Sequence, residues 1–574
     1  MLDSETVETV SSAPDNPAKN NLAARIGWAI LILATLYVCC FSHLGAIGFV
    51  GPDEPRYAWI ARDMAETGDW VTPRLYGKPW FEKPPLFYWG AALCFKLFGV
   101  SEAAARLPSA ISALLTTLAL AWLAFRLYGA ETARWLLLLL PTTVGMIGFS
   151  HAASTDMPFS AMLTIAMVCA AVVLGLTRNE KSPVLPQTPW LALILFGVFL
   201  GLAVLAKGPA GIILVGGAVF FWALFTKRWH DAFRLFHPAA LASFFVTALP
   251  WYILCARRNP DFFRIFIIEH NFKRYLTPEF RHIQPFWFYL PVLLVAFLPW
   301  TGVGIWTASA GGGQYGKSRK VSPHTLFLFS WSLFVLLLFS LSQSKLPGYA
   351  LPAIPALTLL LAYGWASLGN EHRRSSGVTL AGFALLCLGF SALAADLFPH
   401  VSLPTERVKL AVSFLFGMIA VANLIVLTAF ICLKTRAQRN LAASLCVTPM
   451  LFSVLIANEL VSGLVSLSSR DLAAQLLAHH VPPECTFIYH GMGRSLRYTL
   501  NFYMHRELPD WDEKPDADAY IVSGTFNCER LRRQGFGCVD VPLGPSASGW
   551  FVSRVTPNVS AGGFPRSGQF QQEK

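Results

Sequence analysis

The chain is predicted to be an all-α polytopic membrane protein that ends in a small α/β domain, and three observations predict it. Of its 574 residues, 54% are hydrophobic and only 14% are charged, a balance that a water-soluble fold cannot bury. Apolar runs of about 20 residues recur along most of the chain, the length that a bilayer core of roughly 30 Å requires. From residue 464 onward the membrane character is lost. An amphipathic stretch at 470–480 is followed there by short apolar runs, CTFIYH at 485–490 and DAYIVSG at 518–524, between polar segments. That mixture is what helices and strands of a soluble unit produce.

The first 25 residues are polar and rich in Ser, Asn, Pro and Ala, which predicts a disordered cytoplasmic N-terminus. The apolar run behind them is too long for a signal-peptide core and no small-residue cleavage site follows, so it is expected to stay as the first span. Further runs fall at 104–126, 133–150, 157–176, 189–206, 209–227, 236–256, 285–307, 324–343, 347–367, 377–397, 409–433 and 441–463. With the run at 26–48 they make about thirteen spans, in a transmembrane catalytic domain over 26–463. No repeat of fixed period is visible.

The net charge of +12 comes from short basic clusters between apolar runs, not from a continuous basic face. That pattern argues against a nucleic-acid partner and for the positive-inside rule. Arg126 with Arg134, Arg178 with Lys181, Lys227 with Arg228, Lys317 with Arg319, Arg373 with Arg374, and Lys434 with Arg436 all fall on the side of the N-terminus. That side is then cytoplasmic. The loop at 49–103, the turn at Asp156, the segment 257–284, the turn at Lys345 and the domain 464–574 then face outward, into the bacterial periplasm or an equivalent lumen. Most of the eleven cysteines lie in apolar runs as small buried hydrophobes, whereas Cys528 and Cys538 are spaced to form a disulfide or to remain two free thiols.

The outer loop carries the candidate site. Between Gly51 and Trp89 it holds Asp53, Glu54, Arg56, Arg62, Asp63, Glu66, Asp69, Arg74, Lys78, Glu82 and Lys83, and prolines at 52, 55, 73, 79, 84 and 85 divide it into short pieces. Such a stretch cannot be one membrane-crossing helix and is expected to fold on the membrane surface. Asp53 and Glu54 lie just past the first span, where an ordinary interfacial charge and a catalytic carboxylate look alike. Asp156 stands alone among apolar neighbours in a short outer turn, the position of a functional acid or of a helix N-cap.

Four cations on the same side, Lys83, Lys207, Arg274 and Lys345, sit beside proline, glycine or aromatic residues. Together they suit a phosphate or pyrophosphate, and singly they suit snorkelling to lipid headgroups. Glu82 and His270, with Glu269 or water, could share Zn2+; a hydrogen-bonded neutral histidine is the alternative. Phe262, Phe263, Phe266, Phe272 and Tyr275 alternate with Arg264, Lys273 and Arg274 as in an interfacial amphipathic helix.

In combination, PDEPRYAWIARDM, GDWVTPRLYGKPWFEKPPLFYW, RLPSA at 106–110, STDMP, KGP at 207–209, EHNFKRY at 269–275 and SKLPGYALPAIPAL resemble the bacterial aminoarabinose transferases of lipid A and the protein O-mannosyltransferase superfamily. The resemblance covers essentially the whole chain. It implies a GT-C glycosyltransferase that moves a sugar from a polyprenyl-phosphate donor to lipid A or another envelope acceptor. It also implies that Asp53 leads the catalysis with Asp156 as second acid and Glu54 beside them, that Lys83 contacts the donor phosphate, and that Glu82 and His270 bind zinc. Arg56, Tyr57, Arg274, Lys345 and Tyr349 match cavity residues, and Lys207 stands with them as one of the four cations suited to the donor phosphate. Trp80 stands where tyrosine is common and Pro55 where glycine is frequent, departures that bear on the sugar more than on the reaction.

Hexose or mannose transfer to protein or another glycan is the rival within this class, and a lipid-linked substrate transporter is the rival outside it. A transporter predicts charges near span centres and paired broken helices; this chain concentrates charge at one interface. Nothing in the sequence demands more than a monomer.

Overall fold

The structure is a computed structural model that describes residues 17–177, 188–273, 283–305, 321–367, 468–478, 486–490, 493–508, 519–523, 537–540 and 551–556, with isolated positions at 307, between 413 and 455, and at 529 and 532. Helix α1 (Pro17–Cys40) leads into the outer loop, whose prolines permit more regular structure than expected. Helix α2 (Asp53–Thr67) accommodates Pro55 in its first turn, where no intrahelical N–H bond is needed, and ends at Gly68 in the left-handed region.

A two-residue hairpin follows, β1 (Arg74–Leu75) against β2 (Lys78–Pro79). Its turn residues Tyr76 and Gly77 both have positive φ, the geometry that matches strand twist in tight hairpins. Pro84 and Pro85 then precede α3 (Leu86–Phe98), an apolar helix inside what the sequence presents as a loop.

The bundle is built from helices that are apolar on most sides. Six are long and apolar enough to cross a membrane among the described residues: α4 (Glu102–Tyr128), α7 (Asp156–Val173), α8 (Trp190–Lys207), α11 (Pro238–Arg258), Pro323–Leu341 and Pro347–Ser367. Helices α5 (Ala130–Leu139) and α6 (Val144–Ser150) form a pair bent by 61°, which corresponds to the expected run at 133–150. Helix α9 (Ala210–Thr226) is apolar but shorter, and α10 (Trp229–Phe233) is a single turn on the way to α11.

The run at 285–307 is not one helix: Tyr289–Ala296 is helical, Pro299 follows closely enough to stop it, and helix resumes at 301–305. Expected spans at 377–397, 409–433 and 441–463 lie wholly or largely outside the described residues. Helix α7 occupies the centre, packed against α4 and α8, with Met157, Phe159, Leu163, Met167 and Ala170 fully or almost fully buried.

The C-terminal elements form a four-stranded sheet in the order β3 (Thr486–His490), β4 (Ala519–Ser523), β6 (Phe551–Thr556), β5 (Gly537–Asp540). Strand β3 pairs parallel with β4, and the other two pairings are antiparallel. Helices Arg470–Ala478 and Arg494–Met504 share a small core with this sheet through Leu472, Leu476, Leu500, Leu508, Val522 and Val552. Cys538 on β5 is disulfide-bonded to a cysteine outside the described residues.

Candidate active site

The carboxylates of the outer loop have separate surroundings because α2 turns them to different sides. Glu54 faces inward and is buried. Its Oε1 accepts from Arg106 Nε at 3.0 Å and from the Ala153 amide at 2.7 Å, and its Oε2 accepts from Arg106 Nη2 at 2.8 Å and from the Val50 amide at 2.8 Å. Arg106, from α4, uses its remaining donors on the carbonyls of Leu44 (2.8 Å), Ile47 (2.8 Å) and Gly48 (3.1 Å). A buried charge is tolerated only when paired and fully hydrogen-bonded. These two residues satisfy that condition by tying the end of the first apolar segment, α2, α4 and the 150–156 turn to one point.

Asp53, one residue earlier, faces the other way, and its side chain is 53% exposed. Arg56 binds it through Nη2, donates from Nη1 to Glu82 Oε2 at 3.0 Å and donates from Nε to the Pro52 carbonyl at 2.8 Å. Lys83 Nζ lies 3.8 Å from Glu82 Oε1. The cluster therefore joins two acids and two bases from α2 and the FEKPP segment, and only Asp53 opens substantially to the outside. Three rings surround the Arg56 guanidinium carbon at 5.9, 5.6 and 5.3 Å, those of Tyr57, Trp80 and Tyr498. Burial first, then the negative charge of Glu82 and Asp53, pushes the Tyr57 hydroxyl well above the ordinary phenol range, so Tyr57 keeps its proton.

The second centre lies at the N-terminus of α7. Thr155 occupies the cap position and Asp156 the first helical residue, so the carboxylate is not the cap. It pairs with Lys207 from the end of α8. The Lys207 ammonium also lies 4.8 Å from the Tyr349 ring centroid and 5.6 Å from that of Phe159. Gly348 closes the site: a Cβ there would sit 3.1 Å from Asp156 Cγ and Oδ1. Gly348→Ala is therefore expected to displace the Asp156 carboxylate and lower turnover on the order of tenfold while the melting temperature in detergent stays near wild type, measured by steady-state transfer and thermal melting.

Three of the four cations expected to cradle a phosphate have acid or carbonyl partners in the structure. Lys83 is bonded into the Asp53 cluster, Lys207 is taken up by Asp156, and Lys345 donates to the Ser342 carbonyl at 2.6 Å in a buried turn. Partly buried cations take the nearest acceptor, because an unpaired charge there is costly. Arg274 and the side chain of His270 lie outside the described residues. The described part of this segment is helical over Arg264–Lys273, with Phe266 buried, and just ahead of it Phe262 is buried and Phe263 exposed.

For a metal, Glu82 is held by Arg56 and Glu269 by Arg264 at 2.6 Å, and among the described residues no group of three or more His, Cys, Asp or Glu is placed to bind an ion. Both described carboxylates of the expected set are thus taken up by arginines, and its remaining donor, the His270 side chain, lies outside the described residues.

Arg106 and Tyr498 are the site residues that sequence reasoning passed over. An arginine inside an otherwise apolar run at RLPSA is a usable signal for the first; nothing local marks the second.

The Dolichyl-phosphate-mannose-protein mannosyltransferase family matches residues 28–266. The fold is similar to that of ArnT from Cupriavidus metallidurans bound to undecaprenyl phosphate, with a TM-score of 0.75, 25% identity, and coverage of 92% of this chain and 98% of that one. The apolar bundle with its charged interfacial site is thus that of a membrane-embedded GT-C glycosyltransferase.

Among curated proteins the chain is 32% identical over 412 residues to the undecaprenyl phosphate-alpha-4-amino-4-deoxy-L-arabinose arabinosyl transferase of Aeromonas salmonicida (strain A449), covering 70% of this chain and 71% of that one. It is 29% identical over 522 residues to the transferase of the same name from Serratia proteamaculans (strain 568), covering 87% and 90%. The chain belongs to this family of arabinosyl transferases.

Proposed function

We propose that this enzyme transfers 4-amino-4-deoxy-L-arabinose from undecaprenyl phosphate to lipid A at the periplasmic face of the inner membrane. The observation that carries the reading is the superposition of nine-tenths of the chain on a transferase holding undecaprenyl phosphate.

In this reading the prenyl tail lies between spans and the donor phosphate meets Lys83, which exchanges Glu82 for the phosphate, with Arg274 as a second cation. The sugar projects between Asp53 and Asp156. Lys207, Tyr349 and Lys345 shape the second acid's surroundings, and Arg56 and Tyr57 hold the first. An oxygen of the acceptor phosphate attacks C1 of the sugar, the C1–O bond to undecaprenyl phosphate breaks with inversion, and the leaving phosphate keeps the electron pair.

A phosphate nucleophile has no proton to lose, so Asp53 orients the sugar and stabilises positive charge developing at C1. With a hydroxyl acceptor the same carboxylate is the base. Charge-assisted contacts from Lys83 strengthen as the leaving group becomes more negative, which is the differential binding that catalysis needs. Glu54 with Arg106 positions this machinery and does not meet substrate.

Residues 1–25 are assigned to the cytoplasm, 26–463 to the catalytic domain with its loop 49–103 and interfacial segment 257–284, and 464–574 to a periplasmic α/β domain. The disulfide at Cys538 supports an oxidising side for that last part. About thirteen spans and a single working chain complete the assignment. The match to the mannosyltransferase family favours a second reading, transfer of a hexose to protein or another glycan.

Expression in a bacterium stripped of its own transferase tests the choice by mass spectrometry of lipid A. An added aminoarabinose residue is expected. Unmodified lipid A, with the protein inserted and the donor present, sinks the reading.

A further inference from the structure

We propose that Tyr498, on the C-terminal helix Arg494–Met504, is a positioning residue for Asp53, so that the active site is complete only while that helix is docked on α2. The proposal rests on the reading of Asp53 as the catalytic carboxylate. Asp53 is half exposed and is held by Arg56. Arg56 in turn is fixed through three in-plane bonds, to Asp53, Glu82 and the Pro52 carbonyl. In-plane bonds locate a guanidinium but leave its tilt soft; rings packed against it set the tilt. Tyr57 and Trp80 come from the same outer loop as Arg56. The nearest ring, Tyr498 at 5.3 Å, comes from the far end of the chain.

Tyr498 is itself held in place. Its ring stacks on Tyr76 of the hairpin turn, with centroids 6.5 Å apart and planes 21° apart, and the Arg494 guanidinium carbon lies 6.0 Å from its centroid. The helix is docked by directed contacts. Asn501 Nδ2 donates to Tyr76 Oη at 3.1 Å, Arg62 reaches the Phe502 carbonyl at 3.4 Å and His505 Nδ1 at 2.6 Å, and the Phe49 amide donates to Tyr503 Oη at 3.0 Å. Tyr503 in turn donates to Glu102 at 2.8 Å, and Phe502 meets the Phe49 ring edge-on at 4.8 Å. Through Tyr498 the C-terminal segment thus reaches the guanidinium that holds the reacting carboxylate.

The test compares Tyr498→Phe with Tyr498→Leu and Tyr498→Met in the purified full-length protein. The aliphatic variant that melts with wild type is used for the comparison. The phenylalanine variant keeps a π face and is expected to stay within about twofold of wild type, whereas the aliphatic variant loses roughly tenfold in kcat with donor KM within about twofold. A second readout needs no substrate: carbodiimide and glycine ethyl ester labelling of Asp53, followed by peptide mass spectrometry, is expected to run several-fold faster in the aliphatic variant.

An aliphatic variant with wild-type kcat, or with an unchanged Asp53 labelling rate, overturns the proposal. A wild-type protein that transfers to neither acceptor overturns the functional reading instead, and the labelling comparison still decides the role of Tyr498.

Discussion

Asp53→Asn is expected to reduce sugar transfer on the order of a thousandfold or more while leaving the protein folded. The substitution keeps the size of the side chain and its ability to accept a bond from Arg56, and removes only the charge. Because Asp53 is half exposed and contributes little to burial, the fold has no reason to respond. The loss is expected in kcat, with donor KM close to wild type, because in the proposed reading Lys83 and a groove between spans bind the donor whether or not residue 53 is ionised. Steady-state transfer and thermal melting in detergent measure the two halves of this prediction. Near-wild-type turnover by the variant removes Asp53 from the mechanism.

The second large effect is structural. Arg106→Leu strips Glu54 of two of its four hydrogen bonds and leaves the carbonyls of Leu44, Ile47 and Gly48 without their guanidinium donor. Breaking a buried pair by removing one partner costs roughly 3–5 kcal/mol, because the remaining charge is stranded. The expected outcome is low yield in membranes and a markedly lowered melting temperature. A double variant, Glu54→Leu with Arg106→Leu, is expected to recover part of that loss, since it strands no charge. Equal stability of Arg106→Leu and wild type contradicts the assignment of Arg106 as the tie between the apolar segment, α2 and α4.

Much of this molecule is legible in its residues, for identifiable reasons. The spans at Glu102–Tyr128, Asp156–Val173 and Trp190–Lys207 fall where long apolar runs place them, because a bilayer imposes one length on every crossing helix. The cluster of Asp53, Arg56, Glu82 and Lys83 was legible because charge so dense in an apolar chain has few structural uses.

What escaped is pairing at a distance. Glu54 and Arg106 are 52 residues apart and Asp156 and Lys207 are 51 apart, so no local rule joins them, and Lys207 reads as one more phosphate-binding cation until its acid is seen. Helix α3 escaped for another reason: a thirteen-residue helix is too short to span, and prolines on its N-terminal side made the whole stretch look irregular. Tyr498 escaped because its partner Arg56 lies near the opposite end of the chain, and only the docked helix brings them together.

The central claim is that this chain moves a sugar from a polyprenyl phosphate to lipid A. The most direct measurement is transfer by the purified protein in detergent, with undecaprenyl-phosphate aminoarabinose and lipid A in one reaction and polyprenyl-phosphate mannose and a Ser/Thr-rich peptide in the other. Lipid A carrying aminoarabinose, with undecaprenyl phosphate released in equal amount and the peptide unmodified, is the predicted result. Mannosylated peptide and untouched lipid A would contradict it and make Asp53 the base of a protein-modifying enzyme.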